Sequence, residues 1–296
     1  MSTLALELDS PDEPRAITVN RNAGDRRFRG VARGSGTTVL IVVTLVGLFL
    51  SLRAFEALRV AGFGFITTAA WEPNSGNFGV AAVLTGTIMI ALVALVVSLP
   101  LALGTALYIS EYAPRGLKKA LRSVVDLAAA VPSIVYGLWG AYFLKEYIDG
   151  LARWLATYMN WIPFLRVEGA DPRDPLTSPT FYQSSTFIAG VVVGLMVTPI
   201  ASSVMREVFT AAPAGEREAA LALGSTRWGM IRTVVLPYGR GGIIGGTMLG
   251  LGRALGETIA IYLIINPVFD IKFRILENGS NSVAAHIALR YTESTG

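Results

Sequence analysis

Charge is absent from four long stretches of this chain. Residues 34–52, 73–110, 127–144 and 175–205 run for 19, 38, 18 and 31 positions without Asp, Glu, Lys or Arg. A helix needs about 20 mostly apolar residues, each rising roughly 1.5 Å, to cross about 30 Å of hydrocarbon. In lipid every backbone amide and carbonyl has to be bonded within the protein, so such stretches cross as helices. The spacing predicts an all-α polytopic membrane protein with spans near 37–58, 84–110, 122–144, 184–206 and 238–265. The fifth is assigned although Arg240, Arg253 and Glu257 fall within it. Only 16% of the 296 residues are charged, against about a quarter in soluble domains, which excludes an ordinary soluble enzyme. The chain has no cysteine and one histidine, His286. Disulfides, thiolate chemistry and clusters of histidine ligands are therefore excluded, and no metal site is expected.

Basic residues collect in loops that stay cytoplasmic. With the N-terminus inside, segments 1–36, 111–126 and 206–240 hold fifteen Lys and Arg, whereas 53–72, 145–174 and 270–296 hold nine. This sets a cytoplasmic N-terminus, and the basic charge (net +4) reads as membrane topology rather than as a nucleic-acid surface. Residues 1–36 mix charges with Pro and Gly and lack apolar periodicity, so they read as a disordered tail. The first span and its outside connection occupy 37–70, and the remaining core 71–296. On the outside, Tyr147, Leu151, Trp154, Leu155 and Tyr158 recur at helical spacing, as suits a helix at headgroup level. A loop rich in Pro and Asp follows, from Asp171 to Pro179. Five spans place the C-terminus outside, and the odd count leads us to expect a sixth helix missing from this chain.

The loop at 206–240 is too elaborate for a connector. Glu216-Arg217-Glu218-Ala219-Ala220-Leu221-Ala222-Leu223 is rich in strong helix formers, and Gly224 suits a C-cap. Two short helices meeting at Gly224, partly apolar and projecting into the cytoplasm, form a docking surface for a soluble partner. Within the fifth span, Arg253 falls roughly 24 Å from Pro237 along an ideal helix, near mid-bilayer, with Glu257 one turn further on the same face. Charges at that depth usually face a bundle interior, pair and mark a pathway. Gly242, Gly246 and Gly250 repeat at four-residue spacing, a pattern for close helix approach, which we read as a tight pore interface between subunits. In the third span Pro132 should kink or break the helix.

Three motifs carry a family resemblance. Glu218-Ala219-Ala220, Gly224, Val234 and Leu236-Pro237 resemble the loop of permease subunits in ATP-binding-cassette importers, where it forms the coupling helix seated on a nucleotide-binding subunit. Val234 stands where that family more often has Ile. Arg253-Ala254-Leu255-Gly256-Glu257-Thr258 and Val131-Pro132-Ser133-Ile134-Val135-Tyr136-Gly137-Leu138-Trp139-Gly140 are similar to the phosphate-importer branch, the Pst system. The Tyr-Gly-Leu-Trp-Gly ending resembles its C-type permease, as do Trp71, Pro73, Phe78-Gly79 and Gly86-Thr87.

The resemblance spans roughly 70–290 and implies a type I importer permease bundle. It implies that Arg253, Glu257, Thr258, Ser133 and Tyr136 line the substrate pathway, and that Glu218, Ala219, Ala220, Leu221, Leu223 and Gly224 couple it to an ATPase. It also implies a second, A-type permease subunit, two ATPase subunits and an extracytoplasmic phosphate-binding protein. No phosphate-binding G-x-x-x-x-G-K-[ST] loop occurs in the chain, so ATP and Mg belong on a partner subunit and this chain is not itself an enzyme. A permease for another oxyanion, sulfate or molybdate, shares the cytoplasmic loop but not the Arg-x-x-x-Glu pair with the Pro-Ser-Ile-Val-Tyr-Gly stretch. An ion-driven carrier would show an internal repeat of broken helices, which is not seen, and an intramembrane hydrolase would lack its general base.

Overall fold

A computed structural model of the chain describes residues 23–72, 75–169, 171–174, 178 and 180–291. It divides into two units, Met1–Val60 and Ala61–Gly296. Among the described residues the first unit is a single long helix, α1 (Ala23–Ala61). Its Thr38, Thr44 and Ser51 hydroxyls each donate to the carbonyl four residues earlier, at 2.9, 2.7 and 2.8 Å, so none needs a partner in lipid. The expected tail is corrected here. Residues 1–22 lie outside the described residues, but 23–36 are helical, because no proline interrupts 23–61 and a nucleated helix extends at little cost. Pro73 and, in the loop from Asp171 to Pro179, residues 175–177 and 179 also lie outside the described residues.

The second unit contains α2 (Ala81–Leu107), α3 (Arg115–Ala130), α4 (Ser133–Trp139), α5 (Lys145–Tyr158) and α6 (Thr186–Thr210). It continues with α7 (Ala214–Ala222), α8 (Arg240–Leu255), α9 (Ile259–Ile264) and α10 (Val283–Arg290). A two-residue hairpin pairs β1 (Trp71–Glu72) with β2 (Asn77–Phe78). Among the described residues three helices are long and apolar enough to cross a membrane, or four if a bent pair counts as one span.

Two expected spans are broken. The third bends by 88° between α3 and α4. Pro132 has no N–H for the Ala128 carbonyl, and it drives Val131 into the extended region at ψ 129°. The Tyr136 hydroxyl takes the missing donor's place and donates to Ala128 O at 3.1 Å. The fifth span, expected as continuous helix over 238–265, is instead α8 and α9 separated at 256–258. Gly252 and Gly256 weaken the helix there, and Gly256 adopts φ −93°, ψ 0°.

Small residues set the packing. On α2 the buried positions Ala82, Gly86, Ile90, Ala94, Ser98, Ala102 and Ala106 form one stripe at four-residue spacing. Gly190 and Gly194 of α6 meet it so closely that a β-carbon would lie 2.5 Å from Val93 and 2.9 Å from the Ala94 carbonyl oxygen, respectively. The glycine stripe of α8 packs on the same small-residue face of α6, further along the helix, and this corrects the expected interface between subunits. β-Carbons on Gly242, Gly246 and Gly250 would fall 2.6 Å from Val208, 2.9 Å from the Ala201 carbonyl oxygen and 2.7 Å from Val197. The stripe is internal because its four-residue rows match those of α6.

At the end of the bundle away from α7, Gly86 allows the Asn281 backbone against α2, where a β-carbon would lie 2.0 Å from its carbonyl oxygen. Thr87 Oγ1 accepts from Val283 N at 2.9 Å. Trp71 meets His286 edge-on at 4.4 Å. On α5 the buried face is Ile148, Ala152 and Ala156, while Tyr147, Leu151, Trp154 and Tyr158 are exposed. That outward aromatic ridge is the arrangement expected of a helix at the headgroup level.

Adjacent glycines give a paired test of this packing. Gly246→Ala forces a β-carbon against a backbone carbonyl and should destabilise the chain by about 1–3 kcal/mol. Gly245→Ala meets nothing within 4 Å and should be neutral or stabilising by roughly 0.5–1 kcal/mol. Thermal unfolding of the chain in detergent measures both.

Candidate functional site

Two half-helices meet where both broken spans end. α4 begins after Pro132 and α9 after Thr258, and they cross so tightly that a β-carbon on Gly137 would lie 2.8 Å from Ala260 Cα. A β-carbon on Gly140 would lie 2.6 Å from Val192 of α6, so both glycines of the Tyr-Gly-Leu-Trp-Gly motif are contact points. The motif was legible in the sequence, but its role in joining α4 to α9 and α6 was not.

Arg253, on the last turn of α8, is exposed. Glu257 is 7% exposed and its Oε1 accepts from Ala260 N at 3.2 Å, holding the first turn of α9. The expected same-face pairing of Arg253 with Glu257 is corrected, since no ion pair joins them among the described residues. The reason is the break: four residues equal one turn only where the helix continues through Gly256. The structure therefore leaves Arg253 exposed and turns Glu257 inward. Thr258 is half-buried, with its hydroxyl donating to Gly256 O at 3.3 Å. Ser133 is half-buried on the first turn of α4. A guanidinium left without a carboxylate is a planar fork of donors available to an oxyanion.

The second candidate site is α7 and the turn after it. Gly224 has a φ of +87°, the left-handed conformation that closes a helix at little steric cost only for glycine. Thr226 caps the next turn by accepting from Gly229 N at 3.1 Å. Ala220 packs on the core formed by Phe209, Met230, Ile231 and Val235. The residue that fixes the loop is Arg217, which spacing alone did not reveal. It reaches Glu111 at 3.3 Å, beside the last turn of α2, and also donates to the Phe209 carbonyl of α6. Glu218 and Ala219, which the resemblance places in the coupling to an ATPase, are exposed. The difference follows from helix geometry, because neighbouring residues point about 100° apart, and Arg217 and Ala220 face the bundle where Glu218 and Ala219 do not. Leu221, Leu223 and Trp228 are exposed at 44%, 88% and 56%, leaving an apolar surface on a pinned helix.

Residues 98–285 match a family described as binding-protein-dependent transport system inner membrane component. The chain is 37% identical over 273 residues to phosphate transport system permease protein PstC 2 of Mycobacterium tuberculosis, covering 91% of this chain and 82% of that protein. It is 32% identical to PstC of Mesorhizobium japonicum, covering 100% and 88%, and 32% identical to PstC of Pasteurella multocida, covering 94% and 84%. Its fold is similar to a chain in the crystal structure of a bacterial ABC transporter involved in the import of the acidic polysaccharide alginate. The TM-score is 0.54 at 18% identity, covering 91% of this chain and 88% of that one.

The geometry of Glu257 generates a discriminating pair of variants. Glu257→Gln keeps an oxygen acceptor for Ala260 N and should leave the thermal unfolding temperature near that of the parent chain. Glu257→Leu removes the acceptor inside the bundle and should destabilise by about 1–3 kcal/mol. Unfolding in detergent, followed by circular dichroism, reads both.

Proposed function

Because this chain belongs to the binding-protein-dependent transport system inner membrane component family, and is a multi-pass inner-membrane permease subunit, we propose that it forms half of the translocation pathway of an ATP-driven phosphate importer. Its N-terminus and α7 lie on the cytoplasmic side. A second permease subunit completes the pathway, and two ATPase subunits, which bind ATP and Mg, seat against α7. A phosphate-binding protein delivers the ion from outside. The names of the relatives, at 32–37% identity over most of the chain, support phosphate over sulfate or molybdate.

The single observation that carries the coupling role is Arg217. One side chain ties α7 to the ends of both α2 and α6, so a push on Leu221, Leu223 or Trp228 is delivered to two membrane helices at once. Glu111 is 6% exposed in its side chain, and a buried ion pair of this kind resists rearrangement because separating it strands a charge.

Phosphate carries one to two negative charges near neutral pH, and bare transfer into hydrocarbon is prohibitive. Arg253 offers a cation on the exposed face of α8. Passage also requires that the ion leave again. With Glu257 turned away, that loosening comes from the mobility of the exposed guanidinium and from water in the pathway, not from a competing carboxylate.

The assembled complex in vesicles should take up radiolabelled phosphate only with ATP inside, and excess sulfate should not compete. Arg253→Gln should reduce uptake at least tenfold while the subunits still co-purify, because among the described residues the side chain makes no ion pair that holds the fold. Uptake of sulfate or molybdate in preference to phosphate would move this chain to another oxyanion. Near-normal uptake by the variant would remove Arg253 from the pathway.

A further inference from the structure

Helix α1 has basic residues at both ends of its apolar run, and its own length sets their depth. Arg33 and Arg53 bracket the uncharged residues 34–52. Twenty residues apart on one continuous helix, they stand about 30 Å from each other, which is the thickness of the hydrocarbon. At the Arg53 end the cations are met within α1 itself. Arg53 Nη1 lies 3.8 Å from Glu56 and its guanidinium 5.8 Å from the Phe49 ring, and Arg59 lies 5.1 Å from the Phe55 ring. At the Arg33 end the helix runs on through residues 23–32, and Arg26, Arg27, Arg29 and Arg33 make no ion pair among the described residues. Asp25 is the one carboxylate of 23–33, so the segment is strongly basic. At about 100° per residue Arg26, Arg29 and Arg33 fall within roughly 60° on one face, and Phe28 and Val31 point away from it.

We propose that the ridge of Arg26, Arg29 and Arg33 binds the phosphates of anionic phospholipids in the inner leaflet, which rests on the cytoplasmic placement of the N-terminus given above. Headgroups add roughly 5–7 Å to each side of the hydrocarbon. Arg33 stands at the hydrocarbon edge and Arg29 about 6 Å beyond it, so both guanidinium groups are at the depth of the phosphates. Arg26, about 10 Å beyond Arg33, is at the aqueous border and within about one Debye length of the surface charge. Guanidinium groups offer phosphate a planar fork of donors, and basic clusters on the cytoplasmic side of a spanning helix attract anionic lipid. An unbroken helix keeps the three side chains in register, so they meet one strip of headgroups instead of a diffuse charge. The contact is independent of Arg253 and of which ion is transported. Glu7, Asp9, Asp12 and Glu13 precede the ridge in the sequence and are its rival occupants, but they would neutralise it without regard to the lipid.

A bimane fluorophore on Gly30→Cys, the single thiol of an otherwise cysteine-free chain, reports the lipid beside the ridge. A β-carbon at position 30 has nothing within 4 Å. The labelled full chain is placed in phosphatidylcholine vesicles that hold, at equal mole fraction, either spin-labelled phosphatidylglycerol or spin-labelled phosphatidylcholine. Phosphatidylglycerol should quench the label at least about twofold more strongly, and the ratio should fall to near one in ~0.5 M salt. The triple change Arg26→Gln, Arg29→Gln and Arg33→Gln should have the same effect; all three positions are exposed on α1, and the salt measurement needs no such change. Equal quenching by the two lipids with the arginines intact would overturn the proposal and give the ridge to an acidic protein segment. A ratio that survives the triple change would overturn it as well. Topology is read separately in whole cells: reaction of Gly30→Cys with an impermeant thiol reagent added outside would overturn the cytoplasmic N-terminus, whereas an unreactive thiol together with equal quenching would sink the lipid contact alone.

Discussion

Lipid offers no partner to a backbone amide or carbonyl, and this constraint governs where the chain can stop being helical. Each break inside the bundle is closed by a side chain that restores a bond. At Pro132 the Ala128 carbonyl keeps only a 3.3 Å bond from Val131 N, and the Tyr136 hydroxyl adds a second donor at 3.1 Å. At the start of α9 the Ala260 amide is met by the buried Glu257 carboxylate. With both ends satisfied, α4 and α9 can sit as short helices in the interior and cross at Gly137 and Ala260. Discontinuous helices of this sort present side chains to a pathway that a straight helix would turn along its flank.

The hydrophobic effect does not drive one membrane helix onto another, since lipid tails are as apolar as the side chains, so close packing has to do that work. Here α6 is the central element, holding α2 through Gly190 and Gly194 and holding α8 through the stripe of Gly242, Gly246 and Gly250. Because α6 ends at the residues that receive Arg217, the best-packed helix of the core is also the one joined to α7. A displacement of α7 therefore has a stiff route into the bundle. The exposed glycines of α8, Gly241, Gly245 and Gly252, lie off the buried face and leave space beside Arg253.

Much of this was legible from residue order. The uncharged runs located α2 and α6, the four-residue spacing of small residues announced close contacts, and Gly224 marked the turn after α7. What escaped depended on partners far apart in sequence. Nothing in the spacing links Glu111 to Arg217, and the rule that residues four apart share a helical face misplaced Glu257, because it presumes a helix that Gly256 interrupts. The glycine stripe was recognised, but its partner was misassigned, since a pattern of small residues says that something approaches without saying what. Helix α1 began earlier than composition suggested, because charged residues end a membrane span without ending a helix.

The central claim is that the two charges of the broken fifth span have separate tasks: Arg253 opens onto the pathway and Glu257 holds the break from within. The chain has no native cysteine, so Arg253→Cys and Glu257→Cys can be compared in the assembled complex by their reaction with a small water-soluble thiol reagent. The account predicts that the thiol at position 253 reacts and that phosphate slows the reaction, whereas the thiol at 257 stays inert. Reaction at 257 with the same phosphate protection, or a thiol at 253 that no reagent reaches, would contradict it.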